Sequence, residues 1–83
     1  MPKIVVQVMP KADLLDPQGK AVARALTRNG HNEITGVRIG KRIELHYATT
    51  PTESELAAAR HIAENFLSNA VIEDVVSVSV EEN

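Results

Sequence analysis

The sequence predicts a small α+β domain in which a mainly antiparallel sheet carries two helices on one face. Three observations lead to this fold class. Apolar and polar residues alternate in several short segments, which is typical of strands with one buried face. Two longer segments repeat their apolar residues with a period near 3.6 and begin with helix-capping residues. Proline and glycine fall singly between these segments, so we expect one domain over residues 1–83 with the order β-α-β-β-α-β.

The first strand is predicted over Lys3–Met9 and ends at Pro10, because proline cannot donate to a strand ladder. A loop over residues 11–15 follows. The residues predicted to face the core are Ile4, Val6 and Val8, and those on the other face are Lys3, Val5 and Gln7.

The first helix is predicted to begin after that loop. Asp16 is its expected N-cap, and Pro17 occupies the first helical position, where a missing backbone N–H does no harm. The helix ends at Asn29-Gly30, because glycine readily adopts the left-handed conformation of a helix end. Its apolar stripe consists of Ala21, Val22, Ala25 and Leu26.

The middle of the chain is predicted to hold two strands, Ile34–Ile39 and Ile43–Tyr47. A simple two-residue turn between them would put apolar and charged residues on the same face. Pairing Ile39 with Ile43 avoids this conflict, but it needs a three-residue connection or a bulge at Gly40. A single long, bent strand is the alternative.

The second helix is predicted to start with a capping box of Thr50 and Glu53, with Pro51 at the first helical position. Asn69 is its expected C-terminal cap. Its apolar face consists of Leu56, Ala59, Ala63, Phe66, Leu67 and Ala70.

The last strand is predicted from the alternation of three valines with polar residues. The valines are Val76, Val78 and Val80, and the polar residues are Ser77, Ser79 and Glu81. Since both helices lie on one face of the sheet, the other face is left open. We expect Val5 and Val75 to offer apolar atoms there, and the domain to oligomerise through the sheet.

The composition supports association and excludes several functions. Hydrophobic residues make up 43% of the chain but aromatic residues only 2%, so the core consists mostly of small and β-branched side chains. Such a core stabilises a short chain weakly, and no cysteine is present to form a disulfide or a thiolate metal site. Nine basic against eleven acidic residues, with few aromatics for base stacking, argue against nucleic-acid binding.

The hydropathy pattern indicates neither a membrane span nor an export signal. No apolar run approaches the roughly 18 residues that a membrane-spanning helix needs. The apolar stretch near the N-terminus is short and is interrupted by Gln7 and Pro10, unlike a signal peptide. We therefore expect a cytoplasmic protein that does not contact a membrane.

No arrangement of residues indicates an active site. Segment 36–42 differs from a phosphate-binding loop, because its glycines are one residue too close and Arg42 replaces the Ser/Thr that would bind magnesium. A turn or bulge with a basic tip fits this segment better, although Arg38, Lys41 and Arg42 could form a docking site for a partner or an anion. The histidines lie fifteen residues apart, which is no metal-ligand spacing, and no serine adjoins a base. We predict no catalytic, cofactor-binding or metal-binding residue.

Three segments together resemble a known family. They are Leu15-Asp16-Pro17-Gln18-Gly19, Val37-Arg38-Ile39-Gly40-Lys41 and Asn69-Ala70-Val71-Ile72-Glu73-Asp74. In this order, and in a chain of this length, they are similar to the PurS subunit of phosphoribosylformylglycinamidine synthase. The resemblance covers nearly the whole chain.

The resemblance implies a non-catalytic subunit in purine biosynthesis. A glutaminase subunit (PurQ) of that enzyme releases ammonia, and a large synthetase subunit (PurL) uses ATP and magnesium to make formylglycinamidine ribonucleotide. The PurS-type subunit is expected to bring these two together, to assist ammonia transfer, and to form homodimers or homotetramers. The alternative is a stand-alone ferredoxin-like domain that senses a small ligand.

The expected partner contact involves two of the three segments. Two cations beside a glycine bend present a distinctive exposed shape, which favours Arg38, Gly40 and Lys41. The residues at the start of the first helix are interpreted mainly as helix-start residues that could also meet a partner. They are Asp16, Pro17 and Gly19.

Overall fold

The computed structural model describes residues 1–11 and 16–82. Most of the predicted loop over 11–15 lies outside these residues. The elements are strand β1 (Lys3–Pro10), helix α1 (Pro17–Arg28), strand β2 (Lys41–His46), helix α2 (Glu53–Ile62), its π-helical continuation (Ala63–Leu67) and strand β3 (Glu73–Glu81). The three strands form an antiparallel sheet in the order β2-β1-β3. The α+β class is therefore confirmed, with the element order β-α-β-α-β.

The core lies between β1 and α2. Ile4, Val6 and Val8 are at most 1% exposed and pack with Ala59 of α2 and with Ala63 of its π-helical continuation. Because β1 is the central strand, both of its neighbours shield it, and the predicted alternation along the strand is confirmed. The half-buried residues around this core are Ile43, Leu45, Tyr47, Leu56, Leu67, Val75, Val78 and Val80.

The predicted strand over 34–39 is wrong. Segment 34–40 has no strand partner among the described residues, and β2 begins only at Lys41, where it pairs with β1. The segment instead contacts the first turn of α1, where the backbone N–H of Ile39 donates to the Asp16 carboxylate. Neither the hairpin nor the single bent strand is formed.

The start of α2 lies two residues later than predicted. Thr52 is the N-cap, and its hydroxyl accepts from the N–H of Glu55, whose side chain in turn accepts from the N–H of Thr52. The Thr50 hydroxyl donates instead to Glu82 at 3.0 Å. A capping box is present, as expected, but it consists of Thr52 and Glu55.

The end of α2 differs from the predicted apolar face. The π-helical turn places Leu67 on the core side, and Phe66 is turned outward with 77% exposure. Ser68, rather than Asn69, ends the helix by donating its hydroxyl to the Ala63 carbonyl at 2.9 Å. The backbone of Asn69 organises the turn into β3 by bonding to Glu73.

A register shift changes which valines of β3 face the core. Val75 lies opposite Val8 and packs on the core, while Val76 is 58% exposed at the bulge. Val78 and Val80 face the core as predicted. The expectation that Val75 lies on the open face is therefore wrong.

The open face of the sheet is polar. Val5 is 1% exposed even within one chain, since the side chains of neighbouring strands surround it. Across β2 and β3, Arg42 pairs with Glu44 at 2.8 Å and with Glu81 at 3.2 Å. Glu44 also contacts His46 at 3.0 Å. The open face thus has a network of charges rather than exposed valines, and oligomerisation through the sheet stays a prediction.

Helix α1 lies beside the sheet rather than on it. Its predicted N-cap Asp16 and first residue Pro17 are confirmed, and Gly30 has the left-handed φ of 91° after its end. Yet only α2 packs extensively on the sheet, and α1 makes at most marginal contact with the described strands. The radius of gyration is 16.0 Å, compared with about 12 Å for a compact domain of this length. The chain is therefore elongated.

Candidate partner-binding groove

The first turn of α1 meets the segment before β2 at a groove of about 630 Å³. Asp16, Pro17, Gly40 and Lys41 line this groove, whereas Gly19 and Arg38 line a second groove of about 550 Å³ that shares Asp16. The structure thus places the six predicted contact residues along two grooves that meet at Asp16. The complete lining of the first groove is Pro10, Asp16, Pro17, Gln18, Ile39, Gly40, Lys41, Ile72 and Glu73.

Asp16 joins the two walls of the groove. One carboxylate oxygen accepts from the N–H of Gly19 at 2.9 Å, which caps the helix. The other oxygen accepts from the N–H of Ile39 at 3.0 Å. These two backbone bonds, with smaller contributions from Arg38 and Lys20, lower the pKa of the Asp16 carboxyl. The carboxylate is therefore ionised at neutral pH and its oxygens are occupied within the chain.

Gly19 allows α1 to approach this segment closely. It is buried, and a Cβ built on it would lie 2.7 Å from Oδ2 of Asp16 and still closer to the carbonyl oxygen of Val37. No side chain fits between the two backbones at this point. The Asp16 bonds and the glycine contact together form what we call the Asp16 clamp, made of Asp16, Gly19, Val37 and Ile39.

Arg38 and Lys41, the two cations predicted to contact a partner, are both engaged within the chain. The Arg38 guanidinium donates to the carbonyl of Pro10 at the end of β1. The Lys41 ammonium lies 3.1 Å from the carboxylate of Glu73, while the Lys41 side chain remains 52% exposed. The bonds that Asn69 and Lys41 donate to Glu73 lower its pKa. Of the two cations, Lys41 is thus the one paired across the groove.

Gly40 brings the end of the segment against β1. A Cβ on Gly40 would collide with the carbonyl oxygen of Val8 and with the side chain of Met9. Gly40 therefore lets the chain cross close to β1 before β2 begins. This close approach replaces the bulge that the sequence suggested.

The remaining groove residues come from parts of the chain that the sequence did not connect to this site. Pro10 pairs with Glu73 at the end of the β1–β3 ladder, which brings Ile72 and Glu73 to the groove. The segment containing Ile72 and Glu73 contributed to the family resemblance, but no local pattern assigned it to the site. Assigning these residues to the groove requires knowledge of the pairing between β1 and β3, which the sequence alone does not give.

The groove has the properties of a binding surface. Pro10, Pro17, Ile39 and Ile72 give it apolar walls, and the Lys41–Glu73 pair belongs to its lining. Across residues 1–11 and 16–82, no group of three or more His, Asp or Glu side chains could hold a metal ion. In the same residues, no helix is long and apolar enough to cross a membrane.

Comparisons with known proteins agree on one family. A family model described as "PurS: Phosphoribosylformylglycinamidine (FGAM) synthase" matches residues 3–82. The "Phosphoribosylformylglycinamidine synthase subunit PurS" of Mycobacterium leprae is 54% identical over 74 residues, which cover 89% of this chain and 90% of that protein.

Solved structures show the same fold. The PurS structure from Bacillus subtilis is 40% identical with a TM-score of 0.79, and the match covers 99% of this chain and 100% of that chain. A chain in the structure of PurLQS from Thermotoga maritima has a TM-score of 0.75 over 96% of this chain and 94% of its own length. At 24% identity, that likeness concerns the fold alone.

Proposed function

The chain belongs to the PurS family of phosphoribosylformylglycinamidine synthase, and we propose that it serves this enzyme as a small subunit without catalytic residues of its own. The observation that carries the proposal is the 54% identity to a PurS subunit over 89% of the chain. The ligand-sensing alternative is not favoured, because the relatives and structures above are named as PurS proteins or as PurLQS.

The proposed partners are a PurL-type synthetase and a PurQ-type glutaminase. The PurLQS structure from Thermotoga maritima supports an assembly of this composition. In the proposed assembly of this chain with its partners, the partners use ATP, magnesium and glutamine to convert formylglycinamide ribonucleotide into formylglycinamidine ribonucleotide. This chain brings them together in the cytoplasm, and it also associates with copies of itself as a homodimer or homotetramer.

We propose the groove beside the Asp16 clamp as the contact with one of these partners. Protein interfaces combine an apolar centre with a polar rim, and the groove combines apolar walls with the Lys41–Glu73 ion pair in its lining. Substitution of Lys41 tests this contact more directly than substitution of Arg38. Replacement of Arg38 would also remove the bond to the Pro10 carbonyl and disturb the fold near the groove.

Reconstitution with purified PurL-type and PurQ-type subunits tests the proposal. Glutamine-dependent activity should depend on this chain, and Lys41→Ala should weaken assembly while the thermal transition of the isolated chain stays close to wild type. Arg60→Ala is the matched control, because Arg60 is an exposed cation on α2 outside the groove. Full activity without this chain contradicts the subunit function. Equal assembly of the Lys41 and Arg60 variants excludes Lys41 from the contact.

A further inference from the structure

The end of helix α1 contains the only Asn-Gly pair of the sequence, Asn29-Gly30. Asn29 is the C-cap of the helix, and its backbone N–H donates to the carbonyls of Ala25 and Leu26 at 3.1 Å. Its side-chain amide nitrogen also donates to the Ala25 carbonyl, at 2.7 Å. Gly30 follows with a left-handed φ of 91°, which glycine adopts without steric cost. The pair therefore lies where the helical backbone changes into a turn.

This pair of residues has an intrinsic chemical reactivity. The backbone nitrogen of Gly30 can attack the side-chain carbonyl carbon of Asn29, because a following glycine has no side chain to obstruct the approach. The new C–N bond closes a succinimide ring, the bond to the side-chain nitrogen breaks, and the proton of the attacking nitrogen leaves with the ammonia. Water then opens the ring at either carbonyl and gives aspartate or isoaspartate. In sum, one carboxamide and one water become one carboxylate and one ammonium ion.

The folded end of α1 opposes this reaction. The N–H of Gly30 donates to the Thr27 carbonyl at 3.1 Å, so the attacking nitrogen is engaged. The Asn29 carboxamide is held by its bond to the Ala25 carbonyl. At the Asn29 ψ of 14°, the Gly30 nitrogen nearly eclipses the Asn29 backbone nitrogen and is turned away from the side chain. Ring closure therefore requires that the last turn of the helix open and the backbone rotate.

Little holds this end of the helix closed. Residues 27–36 are all exposed. The backbone N–H groups of residues 29–31 donate to carbonyls of α1 itself rather than to another element. Helix α1 makes at most marginal contact with the described strands and with α2. Since exposed helix ends with few buried contacts have the lowest free energies of local opening, the last turn of α1 opens readily.

We propose that Asn29-Gly30 is a site of spontaneous deamidation, in which ring closure follows the opening of the last turn of α1. The product loosens the helix end further. A carboxylate in place of the amide cannot donate to the Ala25 carbonyl, and it adds negative charge where the helix dipole is already negative. The isoaspartate form also inserts a methylene group into the main chain. The reaction is irreversible, so it permanently marks a chain in which α1 is held less firmly.

Mass spectrometry of the full chain tests the proposal. Wild-type protein is incubated without any enzyme at neutral and mildly alkaline pH and is then digested at acidic pH, where the reaction is slow. Conversion of amide to acid should be several-fold faster at Asn29 than at Asn32, which lies in the same exposed stretch but precedes Glu33. The rate should rise with pH, because the attacking nitrogen must lose its proton. Conversion at Asn29 that is no faster than at Asn32 overturns the proposal.

A glycine substitution in the last turn tests whether opening of the helix controls the reaction. Ala25→Gly keeps the carbonyl that accepts from Asn29 but weakens the helix, so conversion in native buffer should rise on the order of fivefold. In urea, where no helix remains, Ala25→Gly and wild type should react at the same rate, faster than the native wild type. Ala70→Gly, an exposed position outside α1, is the matched control and should behave as wild type. Equal native rates for the two variants exclude control by the helix end.

A variant that mimics the aspartate product tests the effect on the helix. Asn29→Asp should show faster amide hydrogen exchange at His31, whose N–H donates to the Leu26 carbonyl at 2.9 Å in the last turn. Asn32→Asp introduces the same charge in the exposed segment after the helix and should leave this exchange unchanged. Equal exchange at His31 in the two variants shows that the modification does not loosen α1 and overturns that part of the proposal.

Discussion

Replacement of Gly19 by alanine tests the geometry of the Asp16 clamp. A helical glycine normally weakens a helix, so the change alone should stabilise α1 by about 0.5–1 kcal/mol. At this position, however, the new Cβ would lie 2.7 Å from Oδ2 of Asp16 and closer still to the Val37 carbonyl oxygen. Relief of these contacts requires a shift of more than half an ångström. Since one neighbour is backbone, the segment itself must move.

The expected net effect is a loss of stability. Overpacking of this kind typically costs about 1–3 kcal/mol. After subtraction of the helix-propensity gain, Gly19→Ala should lower the free energy of unfolding by about 0.5–2 kcal/mol, because the segment must separate from α1. For a domain of this size, about 1 kcal/mol corresponds to roughly 4–8 °C in the midpoint of thermal unfolding.

Thermal and urea denaturation of wild type, Gly19→Ala and Gly36→Ala provide the measurement. Gly36 is the matched control, because it lies in the same segment as Val37 and a Cβ there meets nothing within 4 Å. All three proteins must be compared at one chain concentration, since self-association raises apparent stability. A Gly19→Ala variant at least as stable as wild type would refute the close contact between α1 and the segment.

Three further predictions concern charge, capping and the core. In the folded chain the pKa values of Asp16 and Glu73 lie below their usual 3.8 and 4.5. The stabilisation of the fold by these two carboxylates is therefore complete above the usual values and is lost as the pH falls through the lowered pKa values. Urea denaturation between about pH 2.5 and 7 should show this loss of stability, and the loss should be smaller in Asp16→Asn. Thr52→Ala should destabilise the chain by about 0.5–2 kcal/mol and more than Thr50→Ala, because Thr52 caps α2; equal thermal midpoints would contradict this assignment. Val6→Ala should cost about 1.5–3 kcal/mol in chemical denaturation, since Val6 is 0% exposed, whereas Val76→Ala at the exposed bulge should change stability little.

The sequence predicted the elements whose signals are local. Strand β1 shows a regular alternation, and α1 begins with Asp16 and Pro17 as expected. Two capping boxes were compatible with the start of α2, because Thr50 and Glu53 have the same spacing as Thr52 and Glu55. In the structure Thr52 forms the cap, and the Thr50 hydroxyl instead donates to Glu82 across the fold.

Segment 34–39 shows where local patterns fail. Its alternation is compatible with a strand, but a strand also needs a neighbour, and among the described residues this segment pairs with neither edge strand of the sheet. The N–H of Ile39 finds its acceptor in Asp16, 23 residues earlier. The register shift that turns Val75 rather than Val76 toward the core was likewise not predictable from a local pattern. It follows from the pairing of β3 with β1 and not from the sequence of β3.

The candidate site, too, was predictable where its residues have local roles and not where they have tertiary ones. Asp16 was expected to cap α1, and this role requires only one of its carboxylate oxygens. The second oxygen binds Ile39 and converts a helix cap into a tie between two walls of the groove. Opposite it, Lys41 reaches Glu73, which the β1–β3 ladder brings near Pro10. A residue whose local role is satisfied by half of its bonding capacity is therefore a candidate for a second, tertiary role. In this chain that second role ties the first turn of α1 to the segment that leads into β2.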